Sequence, residues 1–201
     1  MWKYLVVASV LTVGLFMQAC APQAQEDCGF VTNVYGERIS WKGRTPIPLY
    51  IHSSVPNEYM GAIENAVKAW EQAAGKRLFE LRGRVGGGAT PAQDGYNVIY
   101  WMNTWENDKL SEQARTNLYW VGDQISEADI RVNNYKYDFY WNAAVDYSAV
   151  NIEALIIHEL GHVLGLKHQD NAGSVMDTYL SSNSDRVYLS PKDVESLQCE
   201  Y

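Results

Sequence analysis

The sequence predicts an α+β domain, and three observations carry that prediction. Runs rich in apolar, β-branched and aromatic residues at 47–52, 78–82 and 97–102 read as strands. Between the first two lies 57–74, where Met60, Ile63, Val67 and Trp70 recur at helical spacing. Towards the C-terminus a second helix is expected around His158 and His162, and a third after Ser190 and Pro191.

The chain has 201 residues, enough for one domain with a substantial core. Hydrophobic residues make up 47% and charged residues 20%, an ordinary globular balance. The net charge is −8, and −9 once residues 1–19 are removed. A surplus of acid argues against a nucleic-acid partner, because phosphate binding wants a basic face.

Residues 1–19 read as a signal peptide, with Lys3 as the positive start and an apolar run over 4–17 too short for a confident membrane span. The run ends at Ala19-Cys20, similar to a bacterial lipobox, so Cys20 is expected to carry lipid as the first mature residue. An ordinary secretory cut near Ala19 or Ala21 is the other reading. Residues 20–27 then form a lipidated tether, and 28–201 the folded domain. The expected address is the cell envelope of a bacterium, anchored in the outer membrane, or else secreted or periplasmic. With Cys20 lipidated, Cys28 and Cys199 remain as a pair, and an oxidising compartment lets them bridge. Such a link closes a long loop and contributes roughly 4–5 kcal/mol in the chain-entropy model.

The first strand, 47–52, ends on His52, which is expected to be structural. Trp70 belongs in the core, and Gly75 is a helix stop. Gly86, Gly87 and Gly88 lack the Lys-Ser/Thr ending of a phosphate loop and read as a surface loop. Residues 118–121 form a possible further strand, and 125–133 another. Asp123, Glu127 and Asp129 have two readings: a calcium site, or solvated and capping carboxylates; they lack EF-hand spacing. Tyr135, Tyr137 and Phe139 alternate as on a strand with one packed face, and Tyr140, Trp141 and Tyr147 extend the aromatic stretch. Some of these rings are expected in the core and some at a binding cleft.

The centre of the sequence is His158-Glu159-Leu160-Gly161-His162, followed by Gly165 and His168. Residues four apart on a helix differ by roughly 40° and 6 Å, so His158 and His162 face one way. Gly165 ends the helix in a left-handed conformation and lets the chain swing His168 in. Three neutral imidazoles with a free fourth position make a catalytic zinc site. Glu159, at the next helical position, is placed to act as general base on zinc-activated water.

His-Glu-x-x-His-x-x-Gly-x-x-His, with Met176 downstream in Gly173-Ser174-Val175-Met176, resembles the metzincin zinc signature and Met-turn. Within that group the order of segments from 47 to 198 is most similar to the matrixins. The resemblance implies a zincin-like α+β fold. It has a twisted, mostly parallel five-stranded sheet with an antiparallel edge strand, an active-site helix, a Met-turn and a C-terminal helix. It places the edge strand at 125–133, along the upper rim of the cleft. It makes Met176 a hydrophobic floor under the metal, and 177–187 the wall of the pocket for the residue after the cut bond. Tyr179 stands one position further from the Met than the tyrosine that reaches the metal in some relatives. Adjacent aspartates stand in the family where Lys192 and Asp193 stand here, so Asp193 is the expected brace of the Met-turn. Cys28-Gly29 also resembles the start of a cysteine switch, an alternative to the disulfide.

The implied activity is that of a zinc endopeptidase, binding one catalytic zinc, acting as a monomer on extended protein or peptide substrates. Two other functions compete with it: a zinc hydrolase of peptidoglycan cross-links, and a non-catalytic surface-anchored binding protein with a structural zinc.

Overall fold

In the computed structural model the described residues are 25–142, 148–181 and 184–201. The signal segment, Cys20 and Tyr147 lie outside them.

The strands β1 (Ile47–His52), β2 (Phe79–Val85), β3 (Val98–Met102), β4 (Ala114–Val121) and β5 (Gln124–Asn133) form one sheet in the order β2-β1-β3-β5-β4. All neighbours run parallel except β4, which is antiparallel to β5 at the edge. Helix α1 (Met60–Ala74) joins β1 to β2, as a parallel pair requires. Its buried stripe is Ala62, Ile63, Ala66, Val67 and Trp70. The expected start at 57 is a 3-10 turn instead, because Pro56 leads in and no side chain caps the first turn. Gly75 ends the helix in the left-handed region, φ 65°.

Two short strands, β6 (Phe139–Tyr140) and β7 (Val150–Asn151), pair in parallel just before helix α2 (Ile152–Val163). The Asn151 side chain caps α2 by accepting from the Glu153 and Ala154 amides. Trp70, fully buried, donates its indole N–H to the Ile157 carbonyl at 2.9 Å and fixes α1 against α2. Helix α3 (Pro191–Gln198) opens with a capping box between Ser190 and Asp193.

The edge strand is not the one expected. Strand β5 lies between β3 and β4 with its backbone paired on both sides. The resemblance put the edge at 125–133, yet each charge on that strand has a local partner. Glu127 accepts from the Asp94 and Gly95 amides, Asp129 Oδ1 from the Val98 amide, and Arg131 is bidentate on Glu106 at 2.8 and 2.9 Å. Strand β4, expected only over 118–121, spans eight residues and takes the edge.

Asp123 pairs with Lys42 at 3.3 Å, away from Glu127 and Asp129, so the three carboxylates do not converge. Among the described residues the sole group that could hold a metal ion is the histidine triad.

Burial pushes the Asp129 carboxyl up to about 7, against the hydrogen bond from Val98, with Glu127 and Asp94 adding to the rise. Its Oδ2 is buried without a partner. Between about 4 and 7 the unfolded chain is ionised here while the folded one holds its proton. This group therefore lowers stability as pH rises through that window. Melting curves from pH 4 to 8 should show a gentler decline in Asp129→Asn than in the parent; equal slopes would contradict the assignment.

Residues 25–27, expected to belong to a tether, are docked on the domain. Gln25 Oε1 accepts from the Arg38 amide at 2.8 Å, and Asp27 pairs with Lys167 at 3.0 Å. Cys28 and Cys199 form a disulfide across 171 positions, so Cys28 is not a metal ligand. His52 is buried beside Ser54 and remote from the triad, as a structural histidine.

Candidate metal centre

Helix α2 presents His158 and His162 one turn apart. The chain turns away just after the helix at Gly165, φ 98°, where an added Cβ would lie 2.3 Å from the Ile39 carbonyl oxygen. No other residue type fits that approach. The following segment is held by backbone pairing: Val31 N donates to Gly165 O and Lys167 N to Gly29 O, both at 2.8 Å. That ribbon delivers His168 to the pair.

The three Nε2 atoms stand 3.1, 3.1 and 3.2 Å apart. Two of the rings have their other nitrogen committed. His158 Nδ1–H donates to Val175 O at 2.6 Å, and His162 Nδ1–H to Leu166 O at 2.8 Å. With Nδ1 protonated, the Nε2 of each neutral ring carries a bare lone pair. Burial also pushes His158 down to about 4 and His162 to about 3, with the neighbouring rings adding to the depression. His168 is lowered by burial too, against the pull of Asp170 and Asp177. Lone pairs aimed at one point repel unless a cation sits there. The nitrogens of a tetrahedral zinc site are about 3.3 Å apart, from zinc–nitrogen bonds of 2.0–2.1 Å. The donor set therefore fits zinc in chemistry and in spacing. No fourth ligand atom joins the group among the described residues.

Glu159 is 3% exposed, and burial pushes its carboxyl up to about 7. The Thr116 hydroxyl, 2.6 Å from Oε2, works against that rise, and Glu112 adds to it. Thr116 lies on β4, 43 positions away, and no local pattern in the sequence marks it.

Met176 is fully buried under α2. A Cβ at Gly161 would be 2.2 Å from the Met176 sulfur, so helix and Met-turn are in direct contact. Asp193, also fully buried, ties that turn to α3. It accepts from the Ser174 hydroxyl, the Val175 amide at 3.0 Å and the Ser190 amide at 2.7 Å. Asp193→Ala would strand the buried Ser174 and Val175 donors, each costing about 1–3 kcal/mol, and remove the Ser190 cap. A loss of at least about 3 kcal/mol in urea unfolding is expected; a loss under about 1 kcal/mol would remove Asp193 from that role.

A cleft of about 620 Å³ runs past the triad. One wall is β4, with Ala114, Thr116, Leu118 and Trp120; the other includes Thr178, Tyr179 and Leu180. The described residues of the aromatic stretch do not line it. Phe139 packs on Trp101 with centroids 4.8 Å apart, Trp141 donates to Glu153, and Tyr135 is exposed elsewhere. Among the described residues the aromatic side chains at the cleft, besides the histidines, are Trp120 and Tyr179. Arg186 was not anticipated. It donates to Ser174 O and Tyr179 O and pairs with Asp177 at 3.4 Å, bracing the lower wall.

The sequence profile of the family described as Matrixin matches residues 90–201, which is more than half of the chain. A 50-residue stretch is 44% identical to "Matrilysin" of Felis catus, covering 24% of this chain and 19% of that protein. "Metalloendoproteinase 2-MMP" of Arabidopsis thaliana is 37% identical over 54 residues, 27% of this chain and 14% of that one. "Metalloendoproteinase 1" of Glycine max is 30% identical over 70 residues, 32% and 23% of the two chains. The chain thus spans less than a quarter of the length of each of these relatives.

Proposed function

Since the chain belongs to the matrixin family, a family of zinc metalloproteases, we propose that it is a zinc endopeptidase whose site is the cleft between β4 and the Met-turn. The observation that carries this reading is the triad of convergent Nε2 atoms with a buried carboxylate beside it.

His158, His162 and His168 would hold one zinc ion, whose Lewis acidity polarises a carbonyl and brings the pKa of water to about 7. The outer side of β4 has no paired strand among the described residues, so an extended peptide can add to it through backbone hydrogen bonds. Such pairing selects an extended shape more than a particular sequence. Glu159 takes a proton from the attacking water and returns it to the leaving amine. Thr116 holds one carboxylate oxygen and so limits the rotation of the side chain. Met176 keeps the underside of the triad dry.

The cell-wall hydrolase reading drew on the envelope address and on the aromatic stretch, whose described rings lie outside the cleft. The structural-zinc reading wants a fourth protein ligand, and Glu159 has no task in it. Incubating the protein with a mixed peptide library, with and without chelator, and mapping cuts by mass spectrometry tests the proposal. Chelator-sensitive internal cuts are expected. Cleavage confined to purified cell wall, or no cleavage by zinc-loaded protein, would overturn it. The lipid anchor at Cys20, the tether and the envelope address belong to the same proposal.

A further inference from the structure

Two neighbouring turns expose apolar side chains on one corner of the molecule. Val34 and Tyr35, 93% and 84% exposed, form the tip of a hairpin closed by the Thr32–Arg38 bridge. Val121, 79% exposed, and Trp120, 44%, stand at the end of β4 where it turns into β5. The Asn33 side chain donates to the Gly122 carbonyl at 3.2 Å and sets the two tips side by side.

The charges around them are already engaged. Glu37 accepts from the Asn33 amide group at 2.8 Å, and Lys42 pairs with Asp123 at 3.3 Å and Glu200 at 3.4 Å. The cations here, Arg38 and Lys42, are matched by Glu200 and Asp123, so the corner has no surplus positive charge to draw an acidic partner. Four exposed side chains are also few beside the roughly 20–30 residues a side of a stable protein interface. Tyrosine and tryptophan beside valine suit the boundary between lipid headgroups and acyl chains.

We propose that this corner is a lipid-contacting face, seated on the bilayer that holds the anchor, so that the Trp120 end of the cleft lies nearest the membrane. The inference rests on the reading of Cys20 as lipidated. Cys20 is five positions before Gln25, a reach of at most about 18 Å. Gln25 is bonded to Arg38 at the base of this same hairpin. The anchor therefore leaves the domain beside the exposed tips, at high local concentration of lipid. Acyl anchoring that is marginal by itself is strengthened by a second contact. Trp120 belongs both to this corner and to the cleft wall. The substrates favoured by that placement are extended segments close to the bilayer surface.

The test uses the full-length protein, purified with its native N-terminus and reconstituted in phosphatidylcholine vesicles whose acyl chains are brominated near the headgroup. Tryptophan emission is compared between the parent and Trp120→Phe, which isolates the Trp120 share. That share should be quenched at least twofold, and the quenching should fall at least threefold in a Val34→Asp, Val121→Asp double variant. The mass of the N-terminal peptide reports lipidation separately. A lipidated protein that floats with vesicles without quenching of Trp120 overturns the corner and leaves the anchor. An unlipidated protein that floats with quenching overturns the anchor and leaves the corner. Failure to float overturns both. Self-association abolished by the double variant, with no quenching, would make the corner an interface between two copies and overturn the proposal.

Discussion

Glu159→Gln should lower kcat/KM on a peptide substrate by about 10²–10⁴-fold, the usual range for losing a general base, while retaining one zinc per chain. Glutamine keeps the shape and can still accept the Thr116 hydroxyl hydrogen bond at the oxygen now bonded at 2.6 Å. Packing is therefore conserved and only the proton transfer is lost. The measurement is steady-state cleavage alongside zinc content by atomic absorption. Parental turnover in the purified variant would end the general-base role. Loss of zinc with loss of turnover would show instead that Glu159 supports the site structurally.

His162→Ala should empty the site, and activity should go with it. The Nε2 atoms of the other two rings, 3.2 Å apart, would remain as an incomplete pair. His162 is central to the arrangement: its Nδ1–H is bound to the Leu166 carbonyl, which also orients the chain leading to His168. Zinc that binds the folded state alone adds about 4 kcal/mol at a thousandfold excess over its Kd. Chelator should accordingly lower the Tm of the parent and leave that of His162→Ala unchanged. A variant that still binds one zinc with parental affinity would mean that this ring is not a ligand.

Much of the centre was legible because it is local. His158, Glu159, His162, Gly165 and His168 span eleven positions, and helix periodicity with one left-handed glycine nearly suffices to gather them. The caps at Ser190 and Gly75 and the core face of α1 follow from equally short-range rules. Met176 and Asp193 were reached through resemblance, and the structure places them under the helix and behind the Met-turn.

Sheet order was not legible. Resemblance to the matrixins put the edge at 125–133, a strand that carries Glu127, Asp129 and Arg131. The loops before and after β3 bury those charges by supplying backbone amides and Glu106. An alternating pattern says which residues share a face; it does not say how many neighbours a strand has. The aromatic stretch failed as a guide to the cleft for a related reason. A large ring is equally at home in a core or at a binding surface.

The sequence by itself determined which three imidazoles gather, because their spacing along one helix and one turn is a property of the chain. Tertiary structure alone decided which strand borders the cleft, that Thr116 meets Glu159, that Arg186 braces the lower wall, and that two apolar turns share a corner. Each of these depends on residues brought together from distant positions, where desolvation and hydrogen-bond satisfaction across the whole fold select the neighbours.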